Sequence, residues 1–161
     1  MSTYRRRVRV DAPLDEVWKF HSRIEGLEAL TPGFMNLRVD RVTGSDGEPD
    51  PEVLATGTTI EMSMRPFGVA PRQRWVSRIE EREADLDAGR ATFVDTMTEG
   101  PFPTWQHTHR FYESGDQTVV DDEVRYELPG GPVGRAVSPL GWIGFEPMFR
   151  YRHRRTRELL E

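Results

Sequence analysis

Three residues whose side chains are suited to acid–base or metal chemistry lie close together in the second half of the chain. One residue separates His107 from His109, and Asp122 follows after the turn signal Ser114-Gly115-Asp116-Gln117. Residues two apart on a β-strand point to the same face. An imidazole oriented by a carboxylate can act as a general base, and two imidazoles with one carboxylate can bind a metal ion. This chemistry requires a hairpin that brings the three side chains together.

The turn signal predicts such a hairpin. A two-residue turn at Gly115-Asp116 places His109 opposite Asp122, and facing residues lie about 4.5–5.5 Å apart at Cβ. With this register, one face of the hairpin is mostly apolar and the other is mostly charged or polar. The apolar face consists of Trp105, His107, His109, Phe111, Val120, Asp122, Val124, Tyr126 and Leu128. A shift by one residue would bury the charged set, so the apolar face is predicted to face the interior.

The pair of His109 and Asp122 has three open interpretations. A buried Asp122 needs a partner, and contact with His109 would favour the charged imidazole and lower the pKa of the carboxyl group. The pair is a structural element that fixes strand register, a polar anchor for a ligand, or a catalytic site. In the catalytic case, His109 acts as a base with Asp122, or His107, His109 and Asp122 hold a metal ion. No other ligand is evident and no metal ion is predicted; Asp95 joins the cluster if its side of the strand faces inward.

The rest of the chain supplies the elements that position this hairpin. Alternating apolar residues predict seven strands, and helical periodicity predicts two short helices after the first strand and a long helix at the end. The strands are predicted at residues 4–10, 34–42, 58–64, 72–81, 90–98, 104–112 and 117–128, and the short helices at 13–21 and 24–30. Pro147 either begins the last helix or lies inside a longer one. A mostly antiparallel sheet of this size curls and needs a cover over its apolar face, for which the last helix is available.

Several stretches resemble the START-like (SRPBCC) superfamily, which includes polyketide cyclases, relatives of plant pollen allergens and lipid-transfer domains. Asp11-Ala12-Pro13-Leu14-Asp15-Glu16-Val17-Trp18 resembles the start of such domains, and residues 124–129 before a helix resemble their end. Residues 100–111, GPFPTWQHTHRF, resemble the branch of ligand-binding SRPBCC domains. The resemblance covers essentially the whole chain. It implies an α+β helix-grip fold, in which a curved seven-stranded antiparallel sheet grips a long C-terminal helix and encloses a cavity.

Residues on the concave face and on the last helix are the candidates for contact with a ligand. We predict that the cavity is lined by Trp105, His107, His109, Asp122, Tyr126, Phe102, Met62, Met64, Trp75, Phe93, Met148 and Phe149. Phe67, in a turn with proline and glycine, is a candidate entrance residue. On the last helix, Met148, Tyr151 and Leu159 are assigned to one side. His21 is assigned to a helix face and His153 to the surface.

Composition restricts the functional classes. A chain of 161 residues with 36% hydrophobic residues suits one domain, residues 1–161. It has no cysteine, no apolar run that could span a bilayer, no phosphate-binding loop and no Gly-x-Ser-x-Gly elbow, so we predict no membrane insertion and no cofactor. The net charge of −5 disfavours nucleic-acid binding, and the basic stretch 150–157 is interpreted as a solvated helix face rather than a phosphate site. A cytoplasmic location is expected, and a homodimer is compatible with the sequence.

Three functional hypotheses follow. The first is non-catalytic binding of a small hydrophobic or amphipathic molecule, such as a lipid, an isoprenoid or a polyketide. The second is an enzyme of the cyclase or dehydratase type with His109 and Asp122 as its acid–base pair, because a shaped pocket and one histidine can fold a flexible substrate and move a proton. The third is a protein-interaction module. The START-like resemblance does not decide between them, because that superfamily includes binders, transporters and enzymes.

Overall fold

Seven antiparallel strands form one curved sheet in the computed structural model, which describes residues 1–161. The strands are β1 Ser2–Val10, β2 Arg38–Thr43, β3 Thr59–Met64, β4 Gln73–Asp85, β5 Arg90–Glu99, β6 Thr104–Ser114 and β7 Gln117–Glu127, and the helices are α1 Leu14–His21, α2 Ile24–Leu30, α3 Gly131–Val137 and α4 Trp142–Leu160. In space, the strands are ordered β1-β7-β6-β5-β4-β3-β2. The predicted helix-grip α+β fold is confirmed.

The predicted hairpin of β6 and β7 is confirmed in every pair of its register. His109 faces Asp122, Phe111 faces Val120, and the turn lies between Ser114 and Gln117. Register shifts interrupt the pairing of β2 with β3 and, twice, the pairing of β4 with β5. Irregularities of this kind bend a strand and increase its twist, which is how the sheet becomes concave. The apolar face of the hairpin therefore forms the floor of a concave surface.

The predicted strand at residues 34–42 is wrong in its first half. Gly33–Met35 forms a short 3₁₀ helix, and the strand begins only at Arg38. The Met35 carbonyl accepts a hydrogen bond from the Arg65 backbone N–H, and the Phe34 ring stacks on Phe67 with centroids 4.9 Å apart. These contacts with the turn after β3 replace sheet pairing, and they involve residues distant in sequence.

The segment between β7 and the last helix contains a short helix, α3, that the sequence did not predict. Tyr126 Oη donates a hydrogen bond to the Ser138 carbonyl at 2.6 Å, and the Ser138 hydroxyl accepts one from the Leu128 N–H at 2.9 Å. At Gly141 a Cβ atom would lie 2.5 Å from Cε2 of Tyr126, so only glycine fits there. α4 begins directly after Gly141, and Pro147 lies inside it. No helix has the length and apolar character needed to cross a membrane.

The face of α4 that packs on the sheet differs from the predicted one. Its buried residues are Phe145, Phe149, His153 and Thr156, which follow an i, i+4, i+8, i+11 pattern. Tyr151 is only half-buried and Leu159 is exposed, so the side of the helix predicted from Met148, Tyr151 and Leu159 is not the packed one. The assignment of His153 to the surface is wrong, because this residue is 3% exposed and faces the sheet. Its burial brings a polar group into the centre of the fold.

On the convex face, Asp121 is completely buried, although Val119 and Glu123 on the same face of β7 are partly exposed. Arg5 donates to both of its carboxylate oxygens, at 3.0 and 2.5 Å, and Arg7 donates to one at 3.2 Å. Burial alone would raise the pKa of Asp121, but these two guanidinium groups hold it below its usual value. The ion pairs connect β1 to β7.

We expect Asp121→Asn to lower the melting temperature by a few degrees at pH 7, with Asp116→Asn in the exposed turn as the matched control. Because the folded-state pKa of Asp121 lies below the unfolded value of about 3.9, its stabilising contribution is complete above that pH and is lost as the pH falls through the folded-state pKa. Melting curves from pH 7 to pH 2 should therefore show the variant and the wild type converging in acid. A constant difference over this range would contradict the assignment.

Candidate functional site

A cavity of about 500 Å³ lies between the concave sheet, α2 and α4. Nineteen of its thirty lining residues are hydrophobic. Small-molecule sites typically have volumes of roughly 300–1,000 Å³ and are mostly apolar with a few polar groups. The size and lining of this cavity therefore match those of a site for a small organic molecule.

Ten of the twelve residues predicted to contact a ligand line this cavity. They are Met62, Met64, Trp75, Phe93, Phe102, Trp105, His107, His109, Met148 and Phe149. Asp122 and Tyr126 do not line it, and both are 1% exposed. Asp122 lies behind the histidine rings, and Tyr126 is held by its bond to Ser138. Phe67 lies at the cavity, as predicted for an entrance residue.

One end of the cavity is an aromatic wall. Trp105 makes edge contacts with Trp75 and Phe145, with ring centroids 5.0 and 5.3 Å apart, and Phe102 lies 5.1 Å from Trp105. These residues come from β4, the segment before β6, β6 and α4, so the wall joins the sheet to the helix. Aromatic pairs at such separations contribute about 0.5–1.5 kcal/mol beyond burial of their area, which favours a fixed shape for this end.

Next to the aromatic wall, on the same face of β6, the cavity has a polar wall that is organised by Asp122. Oδ1 of Asp122 accepts a hydrogen bond from Nε2 of His107 at 2.7 Å, and Oδ2 accepts one from Nε2 of His153 at 2.6 Å. Nδ1 of His109 lies 3.3 Å from Oδ1 without hydrogen-bond geometry. The expected direct pair of His109 and Asp122 is therefore replaced by bonds from His107 and from α4.

Asp95 faces the cavity and completes the polar cluster. Its Oδ2 accepts a hydrogen bond from Nε2 of His109 at 2.8 Å and lies 3.9 Å from Nδ1 of His107, and Ser77 donates to Oδ1 at 3.2 Å. In the sheet register, Asp95 is opposite His107 and Asp122 is opposite His109, so both hydrogen bonds run diagonally. Diagonal neighbours on one face are within reach of long side chains.

Burial and the neighbouring charges fix the protonation of most of this cluster. Burial alone would raise the pKa of both Asp95 and Asp122, but the surrounding histidines lower both pKa values. The pKa of Asp122 is well below its usual value, which is the direction expected from the sequence. Burial and the proximity of His109 lower the pKa of His107 to about 4, against the opposing hydrogen bond to Asp122. At neutral pH both carboxyl groups are therefore ionised and His107 is neutral.

All four histidines of the chain belong to this region. His21 lines the cavity rather than merely a helix face, and burial together with Arg152 lowers its pKa to about 3. His153 reaches Asp122 from α4. The burial of His153 could have been predicted from its position four residues after Phe149. The inward orientation of Asp95 could have been predicted from strand alternation, but the irregular segment after β5 obscured the pattern.

This arrangement permits three kinds of chemistry. The polar wall can hold the head group of an amphipathic molecule whose tail lies on the aromatic wall. His109 and Asp95 together can exchange a proton with a bound substrate, because Asp95 is bonded to His109 and is partly exposed at the cavity surface. Ligand atoms of Asp95, His107 and His109 lie within 4.8 Å of one another, close enough for a shared metal ion. Asp122, included in the metal set considered from sequence, lies behind the rings instead.

Comparisons with known proteins agree with this architecture. A family model described as polyketide cyclase / dehydrase and lipid transport matches residues 10–147. Norcoclaurine synthase of Thalictrum flavum, as a point mutant with a transition-state analogue, has a TM-score of 0.67 and 18% identity over 99% of this chain and 93% of that chain. A protein of Arthrobacter aurescens has a TM-score of 0.68 and 13% identity over 98% and 85% of the two chains.

A further protein of this fold comes from Thermus thermophilus, with a TM-score of 0.62 and 20% identity over 96% of this chain and 97% of that chain. A search of curated proteins returns no match. Identities this low establish a shared fold and no more. Together with the family match, they confirm the resemblance inferred from the sequence.

The different surroundings of Asp122 and Asp95 predict different costs of removing their charge. Asp122→Asn leaves buried imidazole donors without their carboxylate, so we expect a loss of roughly 3–5 kcal/mol in the free energy of unfolding. Asp95→Asn, at the cavity surface, should cost only about 1 kcal/mol, because water and the amide replace its bonds. Urea unfolding at pH 7 measures both. Equal losses would contradict the division of the cluster into an inner and a cavity-facing carboxylate.

Proposed function

Because this chain belongs to the polyketide cyclase / dehydrase and lipid transport family, we propose that it binds a small hydrophobic or amphipathic molecule between the sheet and α4. In this proposal residues 1–161 act as one ligand-binding domain, and the ligand is a lipid, an isoprenoid or a polyketide-like compound. The cavity of about 500 Å³ with its mostly hydrophobic lining carries the proposal. Burial of apolar ligand surface supplies about 25 cal/mol per Å², which is the main source of affinity in such a site.

The mouth of the cavity supports access for a ligand of this kind. Phe67 and Ile143 line the cavity and are 72% and 58% exposed, and the half-exposed Phe34 stacks on Phe67. Large apolar side chains in contact with water around an opening are uncommon in soluble proteins and mark binding surfaces. An apolar ligand can therefore remain in contact with hydrocarbon as it enters.

The polar wall gives the bound molecule an orientation. Asp95, His107 and His109 meet at one side of the cavity, and Arg152 of α4 also lines it. A molecule with a hydroxyl, carbonyl or carboxyl group at one end would place that group here and its hydrocarbon part against Trp75 and Trp105. Buried polar groups that lack a matching ligand atom would lose hydrogen bonds, which disfavours purely hydrocarbon ligands.

The contact between His109 and Asp95 favours an enzyme as the second candidate function. Its components are an imidazole at the cavity surface and an ionised carboxylate bonded to Nε2, so the partner of the proposed base is Asp95 rather than Asp122. The structurally similar norcoclaurine synthase has been seen with dopamine and hydroxybenzaldehyde, and by analogy an aromatic or polyketide-like substrate would suit this cavity. Unchanged turnover of every accepted substrate in His109→Ala would exclude this candidate.

Filling the cavity should abolish binding without unfolding the protein. Gly144 lines the cavity, and a Cβ atom there meets no other atom within 4 Å. Phenylalanine also has a higher helix propensity than glycine, by roughly a few tenths of a kcal/mol. We therefore expect Gly144→Phe to stay folded and to bind the neutral fluorescent probe N-phenyl-1-naphthylamine at least about tenfold more weakly, a change of about 1.4 kcal/mol.

Gly33→Phe is the matched control, because Gly33 is equally unobstructed but does not line the cavity. Probe titrations followed by fluorescence, with circular dichroism to verify folding, compare the two variants with the wild type. Equal affinity in all three proteins would place the probe outside the cavity and remove support for the proposal. Native mass spectrometry of the gently purified wild type adds the mass of any molecule retained from the cell.

A further inference from the structure

We propose that Asp95, His107 and His109 bind one divalent transition-metal ion at the polar wall of the cavity. The ligand set is two imidazoles and one carboxylate, and it contains no sulfur. Such sets favour Zn²⁺, Fe²⁺ or Co²⁺ over Ca²⁺ and Mg²⁺, which prefer oxygen ligands alone. The inference goes beyond binding of an organic molecule, because the ion would be a resident component of the cavity.

The distances within the cluster are close to those around a bound ion. Zinc lies about 2.0–2.2 Å from nitrogen and oxygen ligands, so two ligands of one ion are about 3–3.5 Å apart. Oδ2 of Asp95 lies 2.8 Å from Nε2 of His109 and 3.9 Å from Nδ1 of His107. These separations lie on either side of the required value. The third separation, between the two imidazole nitrogens, is at most 4.8 Å, so side-chain movements of about 1 Å would bring the three atoms to the required spacing.

The sheet fixes the three side chains relative to one another. His107 and His109 lie two residues apart on β6 and point to the same face, and Asp95 is the direct partner of His107 on β5. Neither strand is at an edge of the sheet, so both are held on two sides by backbone hydrogen bonds. Ligands on rigid strands are held closer to their required geometry than ligands on loops.

Asp122 occupies the place of an outer carboxylate behind both imidazoles. Because Nε2 of His107 donates to Asp122, the lone pair of its Nδ1 faces Asp95 and the cavity. In the metal-free site Nε2 of His109 donates to Asp95, and binding of an ion there would move the proton to Nδ1, which lies 3.3 Å from the same Asp122 oxygen. Metal-bound histidines usually direct their other N–H to a carboxylate, which orients the ring. His153, bonded to the second oxygen, holds Asp122 in this position.

The charges around the cluster also favour a cation. The buried Asp122 and the partly exposed Asp95 face three histidines, and Arg152 is the other charged group that lines the cavity. Buried carboxylates need positive partners, and a divalent ion between His107, His109 and Asp95 supplies two charges. Three protein ligands leave at least one coordination position open toward the cavity. If the proposed binding function holds, the ligand would carry a metal-binding head group such as a carboxylate, an enolised diketone or a catechol.

The test uses tag-free protein, because a histidine tag would bind metal itself. After dialysis against a chelator, wild-type protein is titrated with Zn²⁺ by calorimetry, and we expect one ion per chain. Asp95→Asn keeps the side-chain size and removes one ligand, so its affinity should fall by at least about 100-fold, the upper range for loss of an outer partner. Asp116→Asn, in the exposed turn, is the matched control and should bind like the wild type.

X-ray absorption at the zinc edge of the wild-type complex checks the ligand set without any variant, and two imidazole nitrogens are expected. Absence of binding, equal affinity in Asp95→Asn, or a spectrum without imidazole scattering would overturn the proposal. Binding of N-phenyl-1-naphthylamine by the metal-free wild type tests the proposed binding function separately. Retained probe binding without zinc binding would contradict the metal site alone, and loss of both would contradict both proposals.

Discussion

The buried carboxylate of Asp122 is the interaction on which the rest of the structure depends. It lies on β7, next to the edge strand β1, and it is bonded both by His107 of β6 and by His153 of α4. Its position therefore fixes the rotation of the helix over the sheet and the orientation of the histidine rings. An ionised group in such surroundings is tolerated only with well-placed partners, so a rotated helix would leave it uncompensated. The adjacent hydrophobic contacts, such as that of Phe149 with His107, bury apolar surface but do not fix the orientation of the helix.

Two carboxylates of the same type serve different purposes because their surroundings differ. Asp122 is enclosed by imidazoles, whereas Asp95 keeps part of its side chain at the cavity surface, 17% exposed. The first holds the architecture together, and the second is available to a ligand, a proton or an ion. The aromatic wall at Trp105 complements this polar side, so the cavity lining has two chemically distinct parts. That asymmetry distinguishes it from a simple packing defect.

The sequence predicted what depends on local pattern and missed what depends on contacts between distant segments. The register of β6 and β7 follows from turn chemistry and two-residue alternation, and both are visible in the sequence. Register determines which residues are opposite, but not which side chains bond, and the hydrogen bonds of His107 and His109 run diagonally. The burial of His153 was hidden because arginines surround it on α4. The predicted strand is absent at residues 34–35 because a turn distant in sequence provides the contacts of these residues.

Three of the four histidines line the cavity and the fourth, His153, bonds to Asp122 behind them, which has a consequence for spectroscopy. Imidazole resonances in an NMR spectrum of this protein, labelled with ¹⁵N at histidine only, contain no background from the surface or from other regions. The nitrogen shifts distinguish the two tautomers of each ring, and these differ wherever one ring nitrogen faces a carboxylate. Four signals would therefore report how the occupied and unoccupied cavity differ, with no residue replaced.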